Sequence, residues 1–145
     1  ELDSEAGGVL ADADIVVLSL SLGNEGLAAT ETEAEATGLA GRYAEGYRGL
    51  AQAARRRMRP GARLVLGGPY PNGGYSDFHL QALKTVYDVA HGWSEVDYFI
   101  DFLASPLHDG CGKWGPGLMS DEGHPNEEGH KCMHDCVDVA RVLGA

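Results

Sequence analysis

Apolar positions alternate along the chain between short continuous runs and longer stripes at helical spacing. Ile15 to Leu20, inside "ADADIVVLSLSLGNEG", is a nearly unbroken apolar and β-branched run. That pattern predicts a strand covered on both faces, running into a glycine-rich turn. The small, acidic "AATETEAEATG" reads as an exposed connector. From Leu39 onward, Tyr43, Tyr47, Leu50, Ala54 and Met58 recur at helical spacing, and "RRRMRPG" reads as a solvated helix end with a Pro-Gly stop. "ARLVLGGPYPNGGY" predicts a second strand followed by a Gly, Pro and Asn loop. A second helix is expected from about Ser76 to His91, with Leu80, Leu83, Tyr87 and Ala90 as its inner stripe. "VDYFIDFLA", residues 96 to 104, predicts a third strand, and a long irregular loop follows it. Asn126 and two glutamates open a last helix whose apolar face is Met133, Cys136, Val137, Ala140 and Leu143.

Strands alternating with helices predict βαβ units and a parallel sheet, hence an α/β fold in a single domain over residues 1–145. In such sheets the ligand site lies beyond the carboxyl ends of the strands. The three stretches that follow the strands are "GNEG", "GGPYPNGGY" and the loop into "DEGHPN". All the unusual chemistry therefore falls on one edge.

Composition narrows the partners. With 22 acidic and 11 basic residues the net charge is −11. Nucleic acid is bound by neutralising phosphates with Lys and Arg, and an anionic membrane surface asks for the same charges, so neither is an expected partner. No apolar run approaches the roughly 20 residues needed to span a bilayer. Cys111, Cys132 and Cys136 cannot all pair with one another, which fits a reducing compartment slightly better and leaves one bridge from Cys111 open.

The densest chemistry is "SDEGHPNEEGHKCMHD", residues 120 to 135. Asp121 and His124 are spaced Asp-x-x-His in a turn before a helix. Such a turn can bring the carboxylate to one ring nitrogen, fix the histidine tautomer and leave the other nitrogen free as a general base. Pro125 restricts His124 to extended backbone. Asn24, at the end of a strand, could donate its side-chain amide to a developing oxyanion.

"NEG" after a buried strand, followed by "DEGHPNEEGH", resembles the SGNH (GDSL) hydrolases, a family of esterases and lipases. The later match covers Asp121, His124, Pro125, Asn126, Gly129 and His130; the earlier one reads Leu22-Gly23-Asn24-Glu25 where the family has Gly-x-Asn-Asp. The resemblance implies a flavodoxin-like three-layer α/β/α fold with a parallel sheet. It also implies hydrolysis of an O-acyl ester without a cofactor or metal, on a small-molecule, carbohydrate or lipid ester. By the same resemblance His124 is the base, Asp121 its orienting acid and Asn24 an oxyanion donor. The family's nucleophilic serine, in Gly-Asp-Ser, and an oxyanion glycine belong upstream of the Asn block. The residues before Asn24 are too few for the two βα units that carry them, about 60 residues at roughly 30 each. The chain thus reads as the C-terminal two-thirds of such a domain, and Ser4, Ser19 and Ser21 are no substitutes for the nucleophile. In a sheet of order 2-1-3-4-5 the strand at residues 15–20 would then be an edge, expected to be covered by an upstream segment or another subunit.

Blander readings compete with this one. An SGNH-like subunit that keeps the fold without the nucleophile is the alternative of a different class. Zinc binding by the His/Cys cluster of residues 124–136 is a weaker one, because the pairs His130/His134 and Cys132/Cys136 are offset by two residues and point to different helix faces. Trp114 could wall an acyl pocket or pack over the sheet end. Tyr70 and Tyr75 are candidates for substrate contact and, equally, for packing.

Overall fold

A computed structural model describes residues 4–103 and 106–145. Three parallel strands, β1 (Ile15–Ser19), β2 (Arg63–Gly67) and β3 (Tyr98–Ile100), lie in the order β1-β2-β3. The register pairs Val17 with Val65 and Leu66 with Phe99. The chain is therefore α/β with a parallel sheet, as its alternating pattern predicts. Of the expected third strand only Tyr98–Ile100 pairs; Ala104 and Ser105 lie outside the described residues.

Period-two alternation sorts the strand side chains onto two faces. Val16, Leu64, Leu66 and Phe99 point into one cluster with α2 (Glu33–Arg55) and α3 (Asp77–Ala90). Val65, Tyr98 and Ile100 point the other way. They pack with Leu107, Trp114 and residues of α4 (Glu127–Asp135) and α5 (Val139–Leu143). Both crossover helices lie on one face, as crossovers of a single hand require. The alanines of the buried α2 stripe (Ala36, Ala40, Ala44, Ala51 and Ala54) keep the helix surface low where α3 packs on it.

One element is added and three local readings are corrected. Helix α1 (Ser4–Asp12) was not expected, because its two adjacent glycines carry a low helix propensity. The acidic connector is mostly the first turns of α2. Thr32 Oγ1 accepts the Glu35 N–H at 3.3 Å and the Glu35 carboxylate accepts the Thr32 N–H at 3.2 Å, a complete capping box. The arginine run is not wholly solvated. Arg55 donates to the carbonyls of Glu95 and Ala62 and pairs with Asp97 at 2.5 Å, tying the end of α2 to the start of β3. Finally, the last helix is two: Asp138 caps α5 by accepting the Arg141 N–H. Arg63 closes that short helix by donating to the carbonyls of Arg141 and Val142.

Among the described residues β1 pairs only with β2. Arg63 donates its N–H to Asp14 O, and this sets Asp14, Val16 and Leu18 toward β2. The amides and carbonyls of Ile15, Val17 and Ser19 consequently face outward. Val17 is 55% exposed and Leu20 43%, although both lie where a parallel sheet is ordinarily covered.

Candidate active site

Beyond the carboxyl end of β1 the chain makes a short 3-10 turn, Leu22–Glu25. Ser21 Oγ accepts the Gly23 N–H at 3.0 Å, and Gly26, at φ 81°, closes the turn. Leu22 and Leu27 are buried on either side, so the intervening Asn24 is held outward and exposed.

Beyond β2, the loop 68–75 packs closely. A side chain at Gly68 would collide with the Tyr87 ring. The Tyr87 hydroxyl donates to Pro69 O at 2.8 Å and accepts the Phe102 N–H at 2.9 Å, joining the loops that leave β2 and β3. Farther along, Gly73 donates its N–H to Glu122 O at 2.7 Å. Trp114 Nε1 donates to the same carbonyl at 3.2 Å. Two donors on one carbonyl hold the turn 121–124 against the second loop.

Within that turn Asp121 Oδ1 accepts three hydrogens: the N–H of Gly123 at 2.8 Å, the N–H of His124 at 3.0 Å, and the Nδ1 hydrogen of His124 at 2.8 Å. Oδ2 lies 3.1 Å from the same Nδ1. A carboxylate only accepts, so Nδ1 is the hydrogen-bearing ring nitrogen, and Nε2 has no partner among the described residues. The hydrogen bond from His124, then that from Gly123, holds the Asp121 carboxyl below the ordinary aspartate range. Both side chains are open to water, Asp121 63% and His124 75% exposed.

The rest of the motif is scaffolding. Asn126 caps α4 by accepting the Gly129 N–H at 3.0 Å and ties back by donating to Gly117 O at 2.8 Å. Gly129 is required because any side chain there would collide with Leu118 O. The Ser120 hydroxyl donates to His124 O at 3.2 Å and not to the ring.

The aromatic candidates divide. Trp114 is buried and packs at a tilt of 30° against Tyr70 with centroids 5.8 Å apart, leaving Tyr70 half-buried. Tyr75 is buried too, its ring stacked on His79 at 5.4 Å. Packing thus takes up the ring faces of Trp114 and Tyr75, and Tyr70 keeps accessible surface.

Asn72 was missed in the sequence, where "PNGG" reads only as a turn. A methyl group placed on Gly23 would sit 3.6 Å from Asn72 Nδ2, and one on Gly123 3.9 Å from the same atom. Gly23 precedes Asn24 and Gly123 precedes His124, so this one amide lies between the two turns that carry the candidate residues. Among the described residues no three His, Cys, Asp or Glu side chains are grouped so that they could hold a metal ion. No family model matches the chain, and no curated protein matches it.

Proposed function

We propose that this chain carries the acid–histidine half of a serine ester hydrolase of the SGNH type, on the C-terminal part of a flavodoxin-like domain. The observation that carries the reading is the Asp121–His124 pair. A carboxylate preset by two backbone N–H groups fixes the imidazole tautomer, and Nε2 is left facing solvent at the carboxyl edge of a parallel sheet. His124 then takes the proton of an attacking hydroxyl and returns it to the leaving alcohol; Asp121 stabilises the imidazolium between the two steps. Asn24 donates to the oxyanion.

The nucleophile is a serine from outside these residues. No hydroxyl among the described residues hydrogen-bonds His124 Nε2. The outward amides and carbonyls of Ile15, Val17 and Ser19 offer a strand-pairing edge beside the site for the segment that brings it. A cleft of about 240 Å³ between Leu20 and the α2 residues Leu39, Tyr43 and Gly46 adjoins that edge.

Hydrolysis of short p-nitrophenyl esters tests the proposal. The 145-residue chain alone is expected to show only background turnover. The complete protein, defined by intact mass and N-terminal sequencing of native material, is expected to turn over and to lose activity in His124→Ala. Turnover by the isolated chain that survives His124→Ala refutes the assignment.

A further inference from the structure

Every polar group of Asn72 except one is committed. Its backbone N–H donates to Gly112 O at 3.2 Å, its carbonyl accepts the Tyr75 N–H at 3.0 Å, and its side-chain Oδ1 accepts the Gly74 N–H at 2.9 Å. That last bond assigns the amide: Oδ1 is the end facing Gly74, so the NH₂ end points away from it, toward Gly23 and Gly123. The NH₂ has no acceptor among the described residues. Its neighbour Gly73 is hydrogen-bonded to the turn of the acid–histidine pair. A donor held this rigidly, open to solvent with no protein acceptor among the described residues, is preorganised for an oxygen atom brought from outside.

We propose that Asn72 Nδ2 is a second side-chain donor to the acyl oxygen of the ester, acting beside Asn24 and between it and His124. The inference rests on the ester-hydrolase reading for the identity of the ligand. The chemistry is selective: Nδ2 can only donate, so it recognises a carbonyl or oxyanion oxygen and offers nothing to an alcohol or amine hydrogen. A side chain at Gly23 would meet Ser21 Oγ at 3.1 Å first, and one at Gly123 would meet Asp121 Oδ1 at 3.6 Å. Substitution of either would set a side chain in ordinary van der Waals contact with the amide, in the space the ligand needs.

The test uses the isotope-labelled 145-residue chain and ethyl acetate, a neutral ester that carries the acceptor without a charge. In the wild type, titration is expected to shift the Asn72 side-chain NH₂ resonances saturably while the Gly74 amide stays in place. Asn72→Asp keeps an acceptor for Gly74 and removes the donor, so its apparent affinity for the ester is expected to fall roughly fivefold, the worth of one neutral hydrogen bond. An unmoved Asn72 NH₂ in the wild type overturns the proposal without recourse to any variant. Equal affinity in Asn72→Asp, with the Gly74 resonance retained, overturns it as well. The hydrolase reading fails separately, through the turnover assay.

Discussion

Replacing Tyr87 by Phe tests whether the two loops beneath the site are held by one hydroxyl. The ring of Tyr87 is buried, Pro69 is among the fully buried residues and Phe102 is 7% exposed, so water cannot replace the lost group. Removal of the oxygen strands one carbonyl and one N–H, bonded at 2.8 and 2.9 Å in the wild type. An unsatisfied buried polar group costs about 1–3 kcal/mol, and Phe recovers part of this by being easier to desolvate. The expected net loss is about 2–4 kcal/mol, or roughly 6–12 °C in Tm for a domain of this size. Urea unfolding followed by circular dichroism, with both variants at equal m-value, measures it directly. Because Gly68 packs against the same ring and precedes Pro69, the loosening should extend into the loop that carries Asn72, as faster amide exchange at Gly73 and Gly74. A loss below about 1 kcal/mol with unchanged exchange would mean the hydroxyl is dispensable and the loops are held by packing alone.

Two further outcomes follow from titratable groups. His79 is buried beneath Tyr75; burial outweighs its hydrogen bonds and holds its pKa below the ordinary histidine value, while Nδ1 accepts the Ser76 N–H at 3.0 Å. Below about pH 6.5 the unfolded chain takes up a proton that the folded ring refuses, so stability should fall as pH drops through that value. In His79→Gln, which can still accept the Ser76 N–H, the slope should flatten; an unchanged slope in urea titrations would assign it to other groups. Asp121 should titrate below the ordinary aspartate range in carboxyl-detected NMR and move back up in His124→Ala, since the hydrogen bond from His124 is the largest cause of its lowering. A carboxyl unaffected by that substitution would leave the pair geometrically close but uncoupled.

The sheet and its two crossover helices were legible because their hydrophobic periods are strong: Ile15 to Ser19 and Arg63 to Gly67 pair as expected, and α3 ends within a residue of the Ser76–His91 reading. The α2 start was written in the chain as Thr-x-x-Glu, but its first turns expose mostly Glu and Ala and show no apolar stripe to announce a helix. The break between α4 and α5 was hidden for the opposite reason. Met133, Cys136, Val137 and Val142 all reach the same cluster, so a continuous apolar face persists across a backbone that turns at Asp138. Asp121 and His124 were readable as a pair because their contact is local. Asn72 was not, since its position between Gly23 and Gly123 arises only when loops from two strands are folded onto a third.

The exposure of the acid–histidine pair decides what holds it. At 63% and 75% exposure the attraction between carboxylate and imidazolium is screened by water and is a weak constraint by itself. The geometry is set instead by backbone: the N–H groups of Gly123 and His124 aim the carboxylate, Gly73 and Trp114 hold the Glu122 carbonyl, and Asn126 locks the following helix. An exposed pair with rigid support is suited to a site whose remaining wall is added by another segment, which would exclude the water that now screens it and strengthen the charge interaction. β1 likewise presents outward N–H and C=O groups at Ile15, Val17 and Ser19 among the described residues, with Val17 55% exposed. One strand paired along β1 would cover the apolar edge and run toward the turn that carries Asn24. On the proposed reading, the edge that most needs a partner is therefore also the one beside which the nucleophile must enter.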